Sequence, residues 1–413
     1  MEMNAVFDWL PDSEDHLREL LDQGLLFERH NVDFKRELNH GKGANKEHAR
    51  DMAQFAVDGG VLIIGVDDND KTKPPQLTPV DLGGLAERLD QIAHSLIDEP
   101  LHVRTQTIDA PGQPGKGYVL VIVPPSPSAP HMVDGKYYGR GDTTKHALSD
   151  AEVQRLHQLA LRRQHDVEDL LEREIRVDPW PVELRRHAHL FGVAQPVAAR
   201  RDLLQQVLND PDGWHRFIES RIRSGIAGQP LQYGWWPDLP RLSDISRRAR
   251  AWALSSPGIS PGRKVVPAES IEPDRFQRQE THLLDLEIRE DGGLRLFCGH
   301  ASDTSGSLNN IECAFEPLIL GLTKRLVLAA ATVAEATVYL GQWDFGVAVT
   351  GLRDVISWQL MQRIGAERTP FSDEDYRETV RVTYERLVKD PDSIVEELIG
   401  QLNRALGGSV PIP

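Results

Sequence analysis

GGVLIIGVDD, at residues 59–68, is the most informative segment for the fold of the N-terminal part of the chain. Its apolar residues Val61–Ile64 form an unbroken run without alternation, which is typical of a strand buried on both faces of a sheet. Two glycines precede the run and two aspartates follow it, so we expect the strand to begin after a turn and to end at polar positions. Such a strand needs elements packed on both sides of its sheet, and it therefore predicts a mixed α/β unit.

The sequence around this stretch supplies the partners that the buried strand requires. Val32 and Phe34 alternate with Asp33 and Lys35, which predicts a strand with one solvent-exposed face. A helix is predicted after the capping residue Ser13, with leucines on one face. The further predicted elements are helices at Lys46–Val57 and Gly84–Ile97 and strands at His102–Ile108 and Tyr118–Val123.

The second half of the chain predicts helices mixed with a hairpin. A long helical stretch from Ser149 to Ile175 predicts a connector, and a Gly-Gly turn at 291–293 predicts a hairpin. The other predicted elements are a helix at Phe315–Tyr339, a strand at Phe345–Thr350 and helices after Ser372 and Pro391. We therefore predict an α+β protein with an N-terminal domain at 1–150, a connector helix at 151–180 and a helix-rich α/β domain at 181–413.

Composition limits the classes of function. Lysine and arginine total 47 and aspartate and glutamate total 63 in 413 residues, for a formal net charge of −16. This balance excludes a broadly basic, non-specific nucleic-acid binder, but it allows a local basic groove. Two cysteines cannot form a disulfide framework, and Lys324 and Arg325 interrupt the most apolar stretch. With an acidic N-terminus that does not resemble a signal peptide, these features predict a cytoplasmic protein without a membrane span.

Acidic residues cluster around the two predicted strands of the N-terminal domain. Glu28 precedes the first strand, Asp33 lies in it, and Asp68 follows the buried strand. Carboxylates at the carboxyl end of a buried strand lie where open α/β sheets usually bind ligands, and hard cations such as Mg²⁺ or Mn²⁺ prefer oxygen ligands. The simpler interpretation is that these are surface acids paired with Arg29, Lys35 or Arg36.

Four ordered blocks together resemble a known family. They are HNVDFKREL at 30–38, QFA at 54–56, GGVLIIGVDD at 59–68 and KYYGRGDTTKHA at 136–147. In order and spacing they resemble the Schlafen AlbA-like (AlbA_2) domain of bacterial Schlafen-like proteins, over about residues 20–160. The resemblance implies a nucleic-acid-binding domain, described in bacterial regulators as a DNA- or nucleotide-binding module.

Some animal Schlafens are instead metal-dependent endoribonucleases that act on transfer and ribosomal RNA. The positions of their catalytic and metal-binding acids match Glu28, Asp33 and Asp68, and Lys35 would meet a phosphate. Three departures bear on this prediction. Asp33 is shorter than the family's glutamate, the block before the glycines is one residue shorter, and the zinc-finger cysteines are absent. This chain also carries one copy of the motif, so a two-lobed clamp like that of the animal enzymes would require a homodimer.

Basic and aromatic residues near these blocks are candidates for a nucleic-acid groove. The basic candidates are Arg36, Lys42, Lys46, Arg50, Arg140 and Lys145. Tyr137 or, preferably, Tyr138 could stack on a base. The alternative is a solvated charged face and a pair of structural tyrosines. No Walker-type phosphate loop is present, and the pair His187 and His189 is more often structural than metal-binding.

The sequence thus supports three hypotheses. The first is a metal-dependent endoribonuclease of structured RNA, such as transfer RNA, in antiviral defence or a stress response. The second is a non-catalytic DNA-binding transcriptional regulator with a C-terminal sensor domain. The third is a catalytically silent binding module whose C-terminal half carries the activity.

Overall fold

The computed structural model describes residues 11–24, 26–28, 31–39, 41–57, 59–68, 74–126, 128–140, 145–163, 167–197, 199, 201–204, 211–227, 236–265, 280–305, 311–337, 339, 341–363 and 369–407. The chain divides into two compact units. The first comprises Met1–Gln164, Ala198–Arg200 and Thr337–Gly341, and the second comprises His165–Val197, Arg201–Ala336 and Gln342–Pro413. The boundary between them falls within the connector predicted at 151–180.

The first unit combines four helices and ten strands in its described residues. Its helices are α1 Glu14–Asp22, α2 Lys42–Phe55, α3 Leu85–Ser95 and α4 Asp150–Arg163. Its strands are β1 Val32–Lys35, β2 Gly60–Ile64, β3 Val66–Asp67, β4 Gln76–Leu77, β5 Val80–Asp81, β6 Arg104–Asp109, β7 Lys116–Val123, β8 Met132–Val133, β9 Lys136–Arg140 and β10 Lys145–Ala147.

The main sheet of this unit has the order β1-β2-β7-β5, and β6 also pairs with β7. β1 and β2 are parallel, whereas β2 and β7 are antiparallel. Strand β1 therefore lies at an edge of the sheet. Two smaller sheets, β10-β9-β8 and β3-β4, complete the unit.

The main sheet is covered on both faces, as the apolar run of β2 predicts. Leu62 and Ile64 pack with apolar residues of α2 and α3, whereas Val61 and Ile63 pack with Leu17 and its neighbours on α1. Because both faces of β2 are buried, its residues are apolar throughout and do not alternate with polar ones. The predicted helices and strands of this unit are confirmed, with bounds that shift by a few residues; α2 begins earlier than predicted.

The second unit is built on a larger, antiparallel sheet. Its helices are α5 Val167–Arg176, α6 Pro211–Arg216, α7 Arg223–Ile226, α8 Glu316–Ala336, α9 Trp358–Met361, α10 Tyr384–Lys389 and α11 Pro391–Ala405, and one π-helical turn, Phe217–Ile222, joins α6 to α7. Short 3-10 turns lie at Val182–Leu184 and Leu239–Arg241. Its strands are β11 His189–Pro196, β12 Asp244–Arg248, β13 Ala251–Ser255, β14 Leu284–Arg289, β15 Leu294–Cys298, β16 Ser302–Ser305, β17 Ile311–Ala314, β18 Trp343–Thr350, β19 Ile356–Ser357 and β20 Asp375–Val382.

Seven of these strands form one sheet, in the order β12-β13-β14-β15-β11-β18-β20. The predicted hairpin of β14 and β15 is confirmed, with Asp285 opposite Phe297. Helix α5 packs against β11 and β18, and α8 packs against β11, β15 and α11. Helix α8 is long and apolar enough to span a membrane, but 72% of its most apolar segment is buried, as in the core helix of a globular unit.

One predicted element of the second unit is wrong. A helix was expected after Ser372, but residues Asp375–Val382 form β20, which pairs with β18 along its whole length. Tyr376, Val380 and Val382 are buried, at an even spacing that suits a strand rather than a helix. The chain becomes helical at Tyr384, after the capping residue Thr383. Mixed helices and strands in both units confirm the α+β fold class.

Candidate nucleic-acid interface

Strand β1 brings Asp33 and Lys35 beneath helix α2. Val32 and Phe34 pack with the leucines of α1, so the alternating residues Asp33 and Lys35 project toward the opposite face of the sheet. The sequence predicted that this face would be exposed to solvent. Instead, Asp33 is buried at 5% exposure. The short β1 therefore carries polar side chains into the covered side of the sheet.

The ammonium group of Lys35 lies between two carboxylates. Its Nζ atom is 2.6 Å from Oδ2 of Asp33 and 3.8 Å from Oδ2 of Asp51, which comes from α2. The side chain of Asp51 is fully buried, that of Asp33 is 8% exposed and that of Lys35 is 25% exposed. We call Asp33, Lys35 and Asp51 the lysine cluster. Of its three members, Lys35 is the one that solvent reaches best.

The protonation of Lys35 follows from these contacts. Burial alone would lower the pKa of Lys35, but the carboxylates of Asp51 and Asp33 outweigh it, and the charge of Glu28 adds to their effect. The pKa of Lys35 is therefore raised above its ordinary value. Lys35 is a stable cation at neutral pH.

Glu28 lies close enough to the lysine cluster for its charge to act on Lys35, and Asp68 lies just after β3. Oε1 of Glu28 accepts a hydrogen bond of 3.2 Å from the backbone N–H of Phe34. Asp68 follows β3 and is partly buried. The turn before it requires Gly65, whose φ is +99° and where a Cβ atom would lie 2.7 Å from the ring of Tyr118. The neighbouring Asp67 lies 3.5 Å from the guanidinium of Arg36.

The predicted metal triad is not assembled in this geometry. Among the described residues, which include Glu28, Asp33 and Asp68, no group of three histidine, cysteine or acidic side chains is placed to hold a metal ion. Asp33 instead contacts Lys35. The donor chemistry of the three acids suits Mg²⁺ or Mn²⁺, but their arrangement here does not fit a divalent ion.

The predicted basic residues lie just after β1, on α2 and on the hairpin of β9 and β10. Lys46 pairs with Asp134 at 2.8 Å, and this contact lowers the pKa of Asp134. The guanidinium of Arg50 lies 4.9 Å from the ring centre of Tyr138, which is partly buried against the core. Lys46 and Arg50 both belong to α2, which also contains Asp51. Tyr138 thus acts partly as a structural tyrosine and partly as a platform for a cation.

For three other candidates the structure describes the backbone only. Lys42 is the first residue of α2, and Arg140 and Lys145 are opposite each other in the register of β9 and β10. The register thus places two basic residues at adjacent positions of one hairpin. Tyr137, the other tyrosine of this strand, packs edge-to-face on His157 of α4, with ring centres 6.0 Å apart.

Sequence reasoning missed two buried polar residues of α2. Asp51 is fully buried, and His48, one helical turn earlier, is 3% exposed. Burial, with a smaller effect of Arg88, lowers the pKa of His48 to about 4. Both residues interrupt the apolar stripe of Ala49 and Met52 in the sequence. Polar residues beside a helix's buried stripe are the signal that could have identified them.

The histidine pair of the second unit has structural partners. Nδ1 of His189 is 2.7 Å from Asp178, and its Nε2 is 3.1 Å from Glu280. Nδ1 of His187 is 2.9 Å from Glu312. Each histidine thus contacts carboxylates, and within the described part of the chain these side chains do not form a metal-holding group.

Comparisons with known proteins bear on the first unit. Residues 28–149 match the family model described as Schlafen, AlbA_2. A search of curated proteins gave no match. Among solved structures, the chain resembles the N-terminal domain, determined by NMR in solution, of a protein from Nitrosomonas europaea related to the ATP-dependent DNA helicase RecG. That similarity has 21% identity and a TM-score of 0.24, and it covers 32% of this chain and 89% of the other.

The family match confirms the resemblance drawn from the four sequence blocks. It spans both ends of the predicted motif, from Glu28 to Ser149, and so includes the lysine cluster and the hairpin of β9 and β10. It supports a nucleic acid as the partner of this unit.

Proposed function

Because residues 28–149 form a Schlafen AlbA-like domain, we propose that the first unit binds nucleic acid and acts as an endoribonuclease on structured RNA, such as transfer RNA. The observation that carries this proposal is the lysine cluster. A cation that is one-quarter exposed and held by buried carboxylates is a fixed, charged group at the surface of a domain whose partner is nucleic acid.

The chemistry required for RNA cleavage is available from the chain's own residues. A partly exposed ammonium such as Lys35 can donate hydrogen bonds to a phosphate oxygen and stabilise the charge that develops there. The carboxylate of Glu28, or that of Asp68 at another acidic position of the family, can accept the proton of an attacking ribose 2′-hydroxyl as its oxygen bonds to phosphorus. The bond from phosphorus to the 5′ oxygen then breaks, and that oxygen takes a proton from water. Asp33 and Asp51 hold Lys35 in place, which fixes the position of its charge.

The basic residues around the cluster support binding to the backbone of an RNA. Lys46 and Arg50 project from α2, and Arg36 follows β1. Their charges are local within a chain of net charge −16, so they favour one oriented contact over non-specific coating. Because the animal enzymes of the family are metal-dependent, the experiment below varies the divalent cation.

The test incubates the purified full-length chain with transfer RNA and with duplex DNA, with Mn²⁺ or with a chelator. We expect cleavage of transfer RNA that Asp68→Ala abolishes, while Asp90→Ala, a change at an exposed acid of α3, leaves it intact. Dependence on Mn²⁺ would place this chain with the metal-dependent members of the family. Intact RNA under all conditions would contradict the nuclease proposal.

A second candidate function rests on a specific contact. Because Asp33 is paired with Lys35 rather than placed in a metal triad, the same surface suits a binder of DNA without catalysis, as in a transcriptional regulator. Tight binding to duplex DNA that the chelator does not change, with no cleavage of either substrate, is the result that favours this function.

We further propose that two copies of the unit form a clamp on RNA, since one copy of the motif supplies a single basic face. A mass measurement by light scattering, with and without transfer RNA, tests this. A monomer under both conditions would exclude the dimer.

A further inference from the structure

The acidic residues of the first unit surround a cation that the chain itself provides. Lys35 Nζ is 2.6 Å from Asp33 and 3.8 Å from Asp51, and Glu28 lies close enough for its charge to act on Lys35. A divalent ion coordinated by carboxylates would need the same oxygens, at distances of roughly 2.0–2.6 Å. Lys35 and such an ion therefore compete for one position.

We propose that Lys35 is the resident cation of this acidic cluster and that it keeps divalent metal ions out of it. Asp51, which the family's acidic positions do not include, is a positioning residue that fixes the lysine together with Asp33. This inference rests on the site of the proposed function, but it concerns cation binding and not cleavage.

Geometry and burial support this assignment. Two carboxylates that are almost completely removed from water require a compensating charge, because an uncompensated buried charge is strongly destabilising. Lys35 meets that requirement from within the chain, since its stem starts from the same strand as Asp33, two residues away. The shorter aspartate at position 33, in place of the family's glutamate, leaves its carboxylate in contact with the lysine of its own strand.

The proposal predicts a different Mn²⁺ affinity from that of a preformed metal site. In a preformed site, each acid would contribute to tight binding of Mn²⁺, and the lysine would contribute little. In a cluster closed by its own lysine, the intact chain binds Mn²⁺ weakly, and removal of the ammonium group creates the site. Removal of the ammonium charge alone should raise the affinity for Mn²⁺. The carboxylates then lack a cation, and opposite charges at such distances interact strongly in a partly buried environment.

The experiment is a calorimetric titration of Mn²⁺ into the full-length chain at fixed pH. Lys35→Met should bind Mn²⁺ at least about tenfold more tightly than the unsubstituted chain, from the loss of one repelling charge. Adding Asp33→Asn to Lys35→Met should remove the gain. Lys324→Met is the matched control, because Lys324 of the second unit is also paired with an aspartate, Asp392, at 3.0 Å and is similarly exposed, and it should leave the affinity unchanged.

A second measurement covers the case in which Lys35→Met does not fold without a cation. Circular dichroism during addition of Mn²⁺ should then show the variant gaining structure, whereas Lys35→Met with Asp33→Asn should not respond to Mn²⁺. The proposal is overturned if the unsubstituted chain binds one Mn²⁺ tightly, with loss on Asp33→Asn, or if Lys35→Met gains neither affinity nor Mn²⁺-dependent structure. Neither result depends on RNA cleavage, so failure here is distinguishable from failure of the nuclease proposal.

Discussion

The side-chain ammonium of Lys35 lies 2.6 Å from the Oδ2 atom of Asp33, and both residues come from the edge strand β1. Two positions of the family's motif thus form an ion pair beneath α2. In the proposed function, Lys35 would contact the phosphate, Asp33 and Asp51 would position it, and Glu28 or Asp68 would accept a proton.

Asp33→Asn should abolish RNA cleavage while leaving binding in place. The substitution keeps the shape of the side chain but removes the carboxylate that fixes Lys35, and loss of one preorganised donor to a developing charge typically costs on the order of 10²–10³ in rate. We expect transfer RNA affinity, measured by fluorescence anisotropy, to change by less than about threefold, which is within roughly 1 kcal/mol. Asp90→Asn is the control, and equal cleavage by both variants would contradict this role for Asp33.

Lys46→Ala should weaken nucleic-acid binding in a salt-dependent manner. If Lys46 contacts one phosphate, its loss reduces the slope of log affinity against log salt by about 0.9 for a duplex and about 0.7 for a single strand. The measurement is the affinity at several salt concentrations, with Lys389→Ala, an exposed lysine of the second unit, as the charge-matched control. An identical slope in the two variants would show that Lys46 lies outside the interface.

Asp285→Asn should strongly destabilise the second unit. Asp285 is fully buried, and its carboxylate lies 2.7 Å from Nη2 of Arg248 and 3.2 Å from Nε of Arg263. Removing its charge leaves two buried arginines short of a partner, which costs roughly 3–5 kcal/mol. Chemical denaturation should show this loss, whereas Glu374→Gln, which breaks the exposed pair with Arg353, should cost about 1 kcal/mol or less.

A similar cost for both variants would mean that the buried network adds little to stability. The comparison is informative because the two pairs differ chiefly in exposure: both members of the Arg353 pair are at least 60% exposed.

His48 should make the first unit less stable in mild acid. Its pKa in the folded chain, about 4, lies below the ordinary value of 6.5, so the unfolded chain takes up the proton first. The stability that the neutral ring contributes is complete above pH 6.5 and is lost as the pH falls toward 4. Urea denaturation at pH 7 and pH 5 should show a larger loss for the unsubstituted chain than for His48→Gln. Equal losses would mean that His48 is accessible to protons in the folded state.

Much of the fold followed from local patterns in the sequence. The unbroken apolar run of β2, the leucines of α1 and the Gly-Gly turn between β14 and β15 predicted their elements, because each is determined by periodicity or turn chemistry within one segment. β20 was mistaken for a helix. Its charged residues obscure the alternation, and its partner β18 lies some thirty residues earlier, where no local pattern reveals the pairing.

The candidate site was predictable to a similar extent. The sequence identified Asp33 and Lys35 but expected them on an exposed face, because a four-residue edge strand gives no sign of the helix that covers it. The position of Asp51 beside the apolar stripe of α2 could have marked it as buried, but its role could not be assigned from α2 alone, since its partner is a cation from another element. Polar residues in a core become interpretable only when the tertiary partner is known.

If the first unit contacts nucleic acid through the lysine cluster, Lys35→Met should bind labelled transfer RNA less tightly in the presence of a chelator. Lys389→Met serves as the control, and circular dichroism verifies the fold of both variants. We predict that Lys35→Met binds at least about tenfold more weakly than the unsubstituted chain, a loss of about 1.4 kcal/mol, while the control is unchanged. Equal affinity of a folded Lys35→Met variant and the unsubstituted chain would mean that the lysine cluster lies outside the nucleic-acid interface.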